Sequence, residues 1–111
     1  MPELGLKKSE LSAIIKVLES NLSILAASVF GSRASGTCST YSDIDIAVYG
    51  NLDSSDVESI IYDLDELPLI YKFDVVAYGQ IKSHTLRKHI DSVGIMVYEK
   101  GKVCDVYSNS I

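Results

Sequence analysis

Leu11, Ile14, Ile15 and Leu18 recur at helical intervals, which predicts an amphipathic helix over about residues 9–20 with Ser9 as its cap and Asn21 at its end. Residues 24–30, an apolar and partly β-branched run closed by Gly31, read as a buried strand. From Gly31 to Ser42 the chain is almost wholly small and polar, so a loop, or a loop with a short helix, is expected there. Asp43 to Tyr49 alternates Asp and Ile before an apolar run, the pattern of a second strand, and Gly50 and Asn51 turn the chain. Ser55 with Glu58 forms a capping-box pattern, and Val57, Ile60, Ile61 and Leu64 mark the stripe of a helix stopped by Pro68. A third strand follows over residues 69–77, closed by Gly79 and carrying Asp74 inside it. Ser83 caps a helix reaching about Asp91, and residues 95–98 form a fourth strand or an apolar turn. This order predicts a single α/β domain over residues 1–111, with a mixed sheet and helices on one face.

The 111 residues suffice for one core and not for two. With 15 acidic and 10 basic side chains, a net charge of -5 speaks against strong direct binding of nucleic acid, which requires a basic face. Lys82, Arg87, Lys88, Lys100 and Lys102, with His84 and His89 among them, read as a solvated face. No run approaches the roughly 18 apolar residues of a membrane span, and residues 1–10 lack the apolar core of a signal peptide. A soluble, cytoplasmic protein is the expectation. Cys38 and Cys104 lack metal-ligand spacing and read as free thiols.

The chemistry lies in the acidic residues. Asp43 and Asp45, two apart on a strand, place both carboxylates on one side at a Cα separation of about 6.6–6.8 Å. Asp74 stands in an apolar run, where an unpaired charge is costly to bury. If the two strands are neighbours, Asp74 lies within roughly 5 Å of the first pair. Three aspartates without nearby Cys or paired His suit magnesium, with substrate phosphates completing its coordination, and disfavour zinc. Gly31 lets backbone approach a ligand, Ser32 adds a hydroxyl and amides at a helix start, and Arg33 either assists a phosphate or faces solvent or a partner. Alone, Asp-x-Asp is often an acidic turn and Gly-Ser is common in loops; the three carboxylates together are what that bland reading leaves unexplained.

Gly31-Ser32-Arg33-Ala34-Ser35-Gly36, six further residues and Asp43-Ile44-Asp45 together resemble the signature of the DNA polymerase beta-type nucleotidyltransferase superfamily, in which Gly-Ser precedes Asp-x-Asp by ten residues. Ser42 fits that signature too. Residues 69–76, with Asp74, resemble the family's last catalytic strand, and the chain as a whole is similar to the minimal nucleotidyltransferases. The resemblance implies a polymerase beta palm-like fold and transfer of a nucleoside monophosphate, AMP from ATP first of all, to a hydroxyl. It also implies two Mg2+ ions held by Asp43, Asp45 and Asp74, with Gly31, Ser32, Arg33 and Ser42 around the phosphates. Asp74 would help to activate the attacking oxygen.

Such proteins are usually encoded beside a helical partner, either a HEPN-type toxin or a substrate-binding protein. The resemblance thus implies an antitoxin that adenylylates a tyrosine of that toxin. One domain leaves no room for an acceptor-binding module, so specificity has to come from the partner or a homo-oligomer. The alternatives are a binding antitoxin that silences by occlusion, and a transferase subunit acting on a small molecule or an RNA end. Tyr41 is a candidate to stack on a base.

Overall fold

The computed structural model describes residues 4–36 and 43–101. In chain order they form α1 (Lys8–Ser20), β1 (Ala26–Phe30), α2 (Ser32–Ser35), β2 (Ile44–Tyr49), α3 (Ser54–Asp65), β3 (Phe73–Ala77), a 3-10 turn (Tyr78–Gln80), α4 (His84–Val93) and β4 (Ile95–Glu99). The expected readings at Cys38, Tyr41, Ser42, Lys102 and Cys104 lie outside the described residues.

One four-stranded mixed sheet has the order β3-β2-β1-β4. The central strand β1 is antiparallel to β2 and β4, whereas β2 and β3 run parallel. A parallel pair needs a crossover, and α3 supplies it, packing against β3. The C-terminal end of β1 therefore meets the N-terminal ends of β2 and β3. That meeting point is where the chemistry-bearing residues fall.

Alternation along the strands divides the apolar residues between two faces. Ile44, Ile46 and Val48 of β2, with Val29, Phe73, Val75 and Val97, pack under Leu11, Ile14 and Leu18 of α1 and Ile60 and Leu64 of α3. Burying each of these side chains contributes about 1.5–3 kcal/mol. Phe30 and Ala47 face the other side, where Ile90, Leu86 and Val93 of α4 cover them. The helices thus lie on both faces of the sheet, not on one. The apolar stripe of α4 packs on the smaller face formed by Phe30, Ala47 and Tyr49.

The element ends also differ in detail from the expectation. α1 begins one residue early, where the Lys7 amide donates to Glu10 Oε1 at 2.8 Å, so Ser9 is not its cap. α3 is capped by Asp53 and Asp56, each accepting from the other's amide at 2.9 and 3.0 Å, in place of Ser55 and Glu58. The third strand is shorter than expected, starting at Phe73. Ser83 does cap α4, accepting from the Leu86 amide at 3.2 Å. Residues 95–99 are a strand. No helix among the described residues is long and apolar enough to cross a membrane.

Candidate active site

Asp45 and Asp74 are cross-strand partners in the parallel β2–β3 register, and Phe30 is the partner of Asp45 across β1–β2. Residues paired in register project to the same face, so both carboxylates rise from the α4 side of the sheet at its end. Asp45 is half-buried and Asp74 is exposed. Asp74 therefore bears none of the burial cost that its apolar neighbours suggested: Phe73 and Val75 point into the main core and leave the carboxylate outside.

Asp43 stands just before β2 and is exposed. The ladder starts one residue later, where the Ile44 amide donates to the Lys72 carbonyl at 2.9 Å. Asp43 therefore lies one residue outside the strand that carries Asp45. Its charge nonetheless acts there. Burial, then the charges of Asp74 and Asp43, push the Asp45 carboxyl above the ordinary value of 3.8, against the opposing pull of His89 and Arg33. Among the described residues no three His, Cys, Asp or Glu side chains gather closely enough to make a ready-formed metal site. Asp43 and Asp74 nonetheless both act on Asp45, and the mutual repulsion of these like charges raises its carboxyl.

Gly31 sits against Asp45. Its φ is 73°, in the left-handed region, and a Cβ placed there would run into the Asp45 carboxylate. Both the backbone conformation and the close approach therefore require glycine. Ser32 opens α2, a single turn in which the Ser35 amide donates to the Gly31 carbonyl at 3.1 Å and the Gly36 amide to that of Ser32. Gly31 and Ser32 thus come to the same end of the sheet as Asp45.

Arg33 is used differently from the expectation. It is 1% exposed, so the solvent-facing reading is wrong, and its Nη1 donates to the carbonyls of Leu4 and Gly5 at 2.9 and 3.1 Å. Its guanidinium also lies 4.7 Å from the centre of the Tyr71 ring, and Tyr71 in turn donates to Glu10 at 3.0 Å. A charge this deep is tolerable only with such partners. Arg33 ties α2 to the N-terminal segment and supplies positive potential at Asp45.

The role of α4 leaves no mark in the local sequence pattern. Tyr49 stacks on Tyr78 at 4.7 Å, Arg87 lies 4.8 Å over the Tyr78 ring, and the Tyr78 hydroxyl donates to Asp91 at 2.8 Å. That hydrogen bond pushes the Tyr78 hydroxyl above its ordinary 10.0. These contacts fasten α4 over β2 and bring exposed His89 beside Phe30, where its charge reaches Asp45. Helical periodicity alone marks His89 as a surface residue, and no sequence signal singled it out. A groove of about 500 Å³ between α3 and α4 is lined by none of the predicted site residues.

Residues 12–102 match the family model "Polymerase beta, Nucleotidyltransferase". The chain belongs to that family, and its four-stranded mixed sheet with helices matches the polymerase beta-type nucleotidyltransferase fold. It is similar to a toxin–antitoxin complex crystallised with AMP-PNP, at 28% identity and a TM-score of 0.69 over 82% of this chain and 74% of that one. It also resembles a complex of a tri-AMPylated Shewanella oneidensis HEPN toxin with its MNT antitoxin, at 23% identity and a TM-score of 0.66 over 85% and 73% of the two chains. A nucleotidyltransferase-like protein from Sulfolobus solfataricus shares the fold at 18% identity and a TM-score of 0.52, over 92% and 97%. The comparison with curated proteins finds no match.

Proposed function

We propose that this chain transfers AMP from ATP, with Mg2+, to a tyrosine hydroxyl of a helical HEPN-type toxin and thereby acts as its antitoxin. The observation that carries this reading is the in-register Asp45–Asp74 pair beside a glycine whose missing side chain leaves room for the Asp45 carboxylate. The likeness to a toxin–antitoxin complex with AMP-PNP supports the choice of partner and of an adenine nucleotide.

The donor set suits a hard divalent cation: carboxylate oxygens only, with like charges whose mutual repulsion a cation would relieve. Asp45 and Asp74, with Asp43 joining from the start of β2, are the residues to hold it, and phosphates would supply the remaining oxygens. When bound, magnesium supplies charge stabilisation for an in-line displacement at phosphorus.

The chain's own residues do the rest. Gly31 and Ser32 bring backbone and a hydroxyl against the β- and γ-phosphates, because the first turn of a helix leaves amides without intrahelical acceptors. Ser42 precedes Asp43 in the same signature and is assigned to the phosphates with them. Asp74 lies on β3, the edge strand, and is exposed, so an acceptor hydroxyl carried by another protein can approach it from outside the sheet. That hydroxyl oxygen bonds to the α-phosphorus as the bond to pyrophosphate breaks, and its proton leaves toward Asp74. Buried Arg33 offsets part of the repulsion at Asp45.

The test is intact-mass analysis of the neighbouring helical protein after incubation with this chain, ATP and magnesium. A gain of one or more adenylyl groups on tyrosine is expected, lost in the Asp45→Asn variant. An unchanged partner under every nucleotide and metal condition, while still neutralised in cells, would replace transfer by simple occlusion.

A further inference from the structure

We infer that His89 is a substrate-contacting residue, its imidazole donating a hydrogen bond to the triphosphate on the Gly31 side of the site. This inference rests on the nucleotide-transfer reading above and extends it to a residue on the opposite layer of the fold.

The placement comes from three contacts. The His89 ring meets the Phe30 ring edge-on, with centroids 6.1 Å apart and planes at 81°. Phe30 is both the cross-strand partner of Asp45 and the residue immediately before Gly31. The next residue of α4, Ile90, is 2% exposed and packed with Phe30 and Ala47, which fixes the helix at this point. His89 is therefore an exposed polar ring held on the β1 side of Asp45, away from β3 and its acceptor-facing Asp74.

Charge explains why a donor is needed there. A triphosphate is strongly anionic, and it must settle beside Asp43, Asp45 and Asp74 on a chain of net charge -5. The groups whose field favours the charged form of Asp45 are His89 and Arg33. Arg33 is committed to Leu4, Gly5 and Tyr71 in the interior. Arg87, also on α4, lies over Tyr78 and donates to the Tyr78 carbonyl at 3.4 Å. His89 is thus the exposed member of this set. Imidazole carries at least one N–H in either protonation state, so the contact does not depend on its titration.

Calorimetric titration of ATP and, separately, AMP, each with magnesium, into the wild-type chain and the His89→Ala, His89→Gln and Lys88→Ala variants tests this. His89→Ala is expected to bind ATP about tenfold more weakly, the scale of one hydrogen bond to a charged group, with AMP affinity within about twofold of wild type. His89→Gln, which keeps a donor near Nε2, should recover most of the loss, and Lys88→Ala should leave both affinities unchanged. Wild-type ATP affinity in His89→Ala overturns the inference while leaving the transferase reading intact. Equal losses for ATP and AMP also overturn it, since the contact would then lie at the nucleoside. If the wild-type chain binds neither nucleotide, the transferase reading itself falls and the inference with it. Melting curves of the variants confirm the fold, which substitution of an exposed side chain should preserve.

Discussion

Asp45→Asn removes one negative charge from a face that carries two others and changes almost nothing in shape. At a carboxylate separation near the strand spacing, about 5–6 Å, each pair would repel by several tenths of a kcal/mol in water and a few kcal/mol at a surface-like dielectric. Asp43 and Asp74 are exposed, so screening puts the effect toward the lower value. The attraction of Asp45 to His89 and Arg33 is lost at the same time, which subtracts from the gain. A net stabilisation of roughly 0.5–1 kcal/mol follows for the metal-free protein, or a rise of about 2–8 °C in Tm for a domain of this size. The pH dependence has a definite sign. Because the folded carboxyl titrates above its ordinary 3.8, the folded state holds more protons than the unfolded chain between those two values. Wild-type stability must then decline as pH rises through that window, and Asp45→Asn must flatten the decline. Thermal melts of both proteins across pH, with and without magnesium, provide the assay. Magnesium should raise the wild-type Tm and leave that of Asp45→Asn nearly unchanged. A less stable metal-free variant, or equal stabilisation of both by magnesium, would refute the electrostatic account of the site.

Gly31→Ala should lower transfer by at least about tenfold, since its Cβ meets the Asp45 carboxylate and its backbone sits at φ 73°; rates with saturating ATP measure this. Arg33→Ala should destabilise the fold by about 2–4 kcal/mol, because two carbonyls lose charged donors and Tyr71 loses its cation; urea melts report it. Ser83→Ala should cost about 1 kcal/mol through loss of the α4 cap, and hydrogen exchange should show the first turn of α4 opening more readily.

The regular elements were readable wherever a periodic apolar pattern was strong. The α1 stripe of Leu11, Ile14 and Leu18 and the Ile44, Ile46, Val48 face of β2 are buried as their spacing requires. The Ser83 cap was readable for the same reason, a small hydroxyl residue directly before a periodic run. Caps were misread where two candidates stood side by side, as with Asp53 and Ser55: a carboxylate accepts from an amide more strongly than a hydroxyl does, and Asp53 took the position. The side of the sheet that α4 covers depends on the path of the chain after β3, which local periodicity does not encode. The carboxylate face was legible from Asp45 and Asp74 standing in two apolar strands. Their register was not, because it is set by the crossover through α3. Arg33 was misplaced because nothing local announces that the carbonyls of Leu4 and Gly5 return to meet it. His89 was passed over because its role arises from packing between α4 and Phe30, a contact 59 positions apart in the chain.

A crystal structure of the chain with AMP-PNP and manganese, with anomalous diffraction locating the metal, bears most directly on the central claim. Manganese bound to carboxylate oxygens of Asp45 and Asp74, with the triphosphate lying along Gly31 and Ser32, is the expected result. A nucleotide seated elsewhere on the domain, or a metal that touches neither carboxylate, would contradict it.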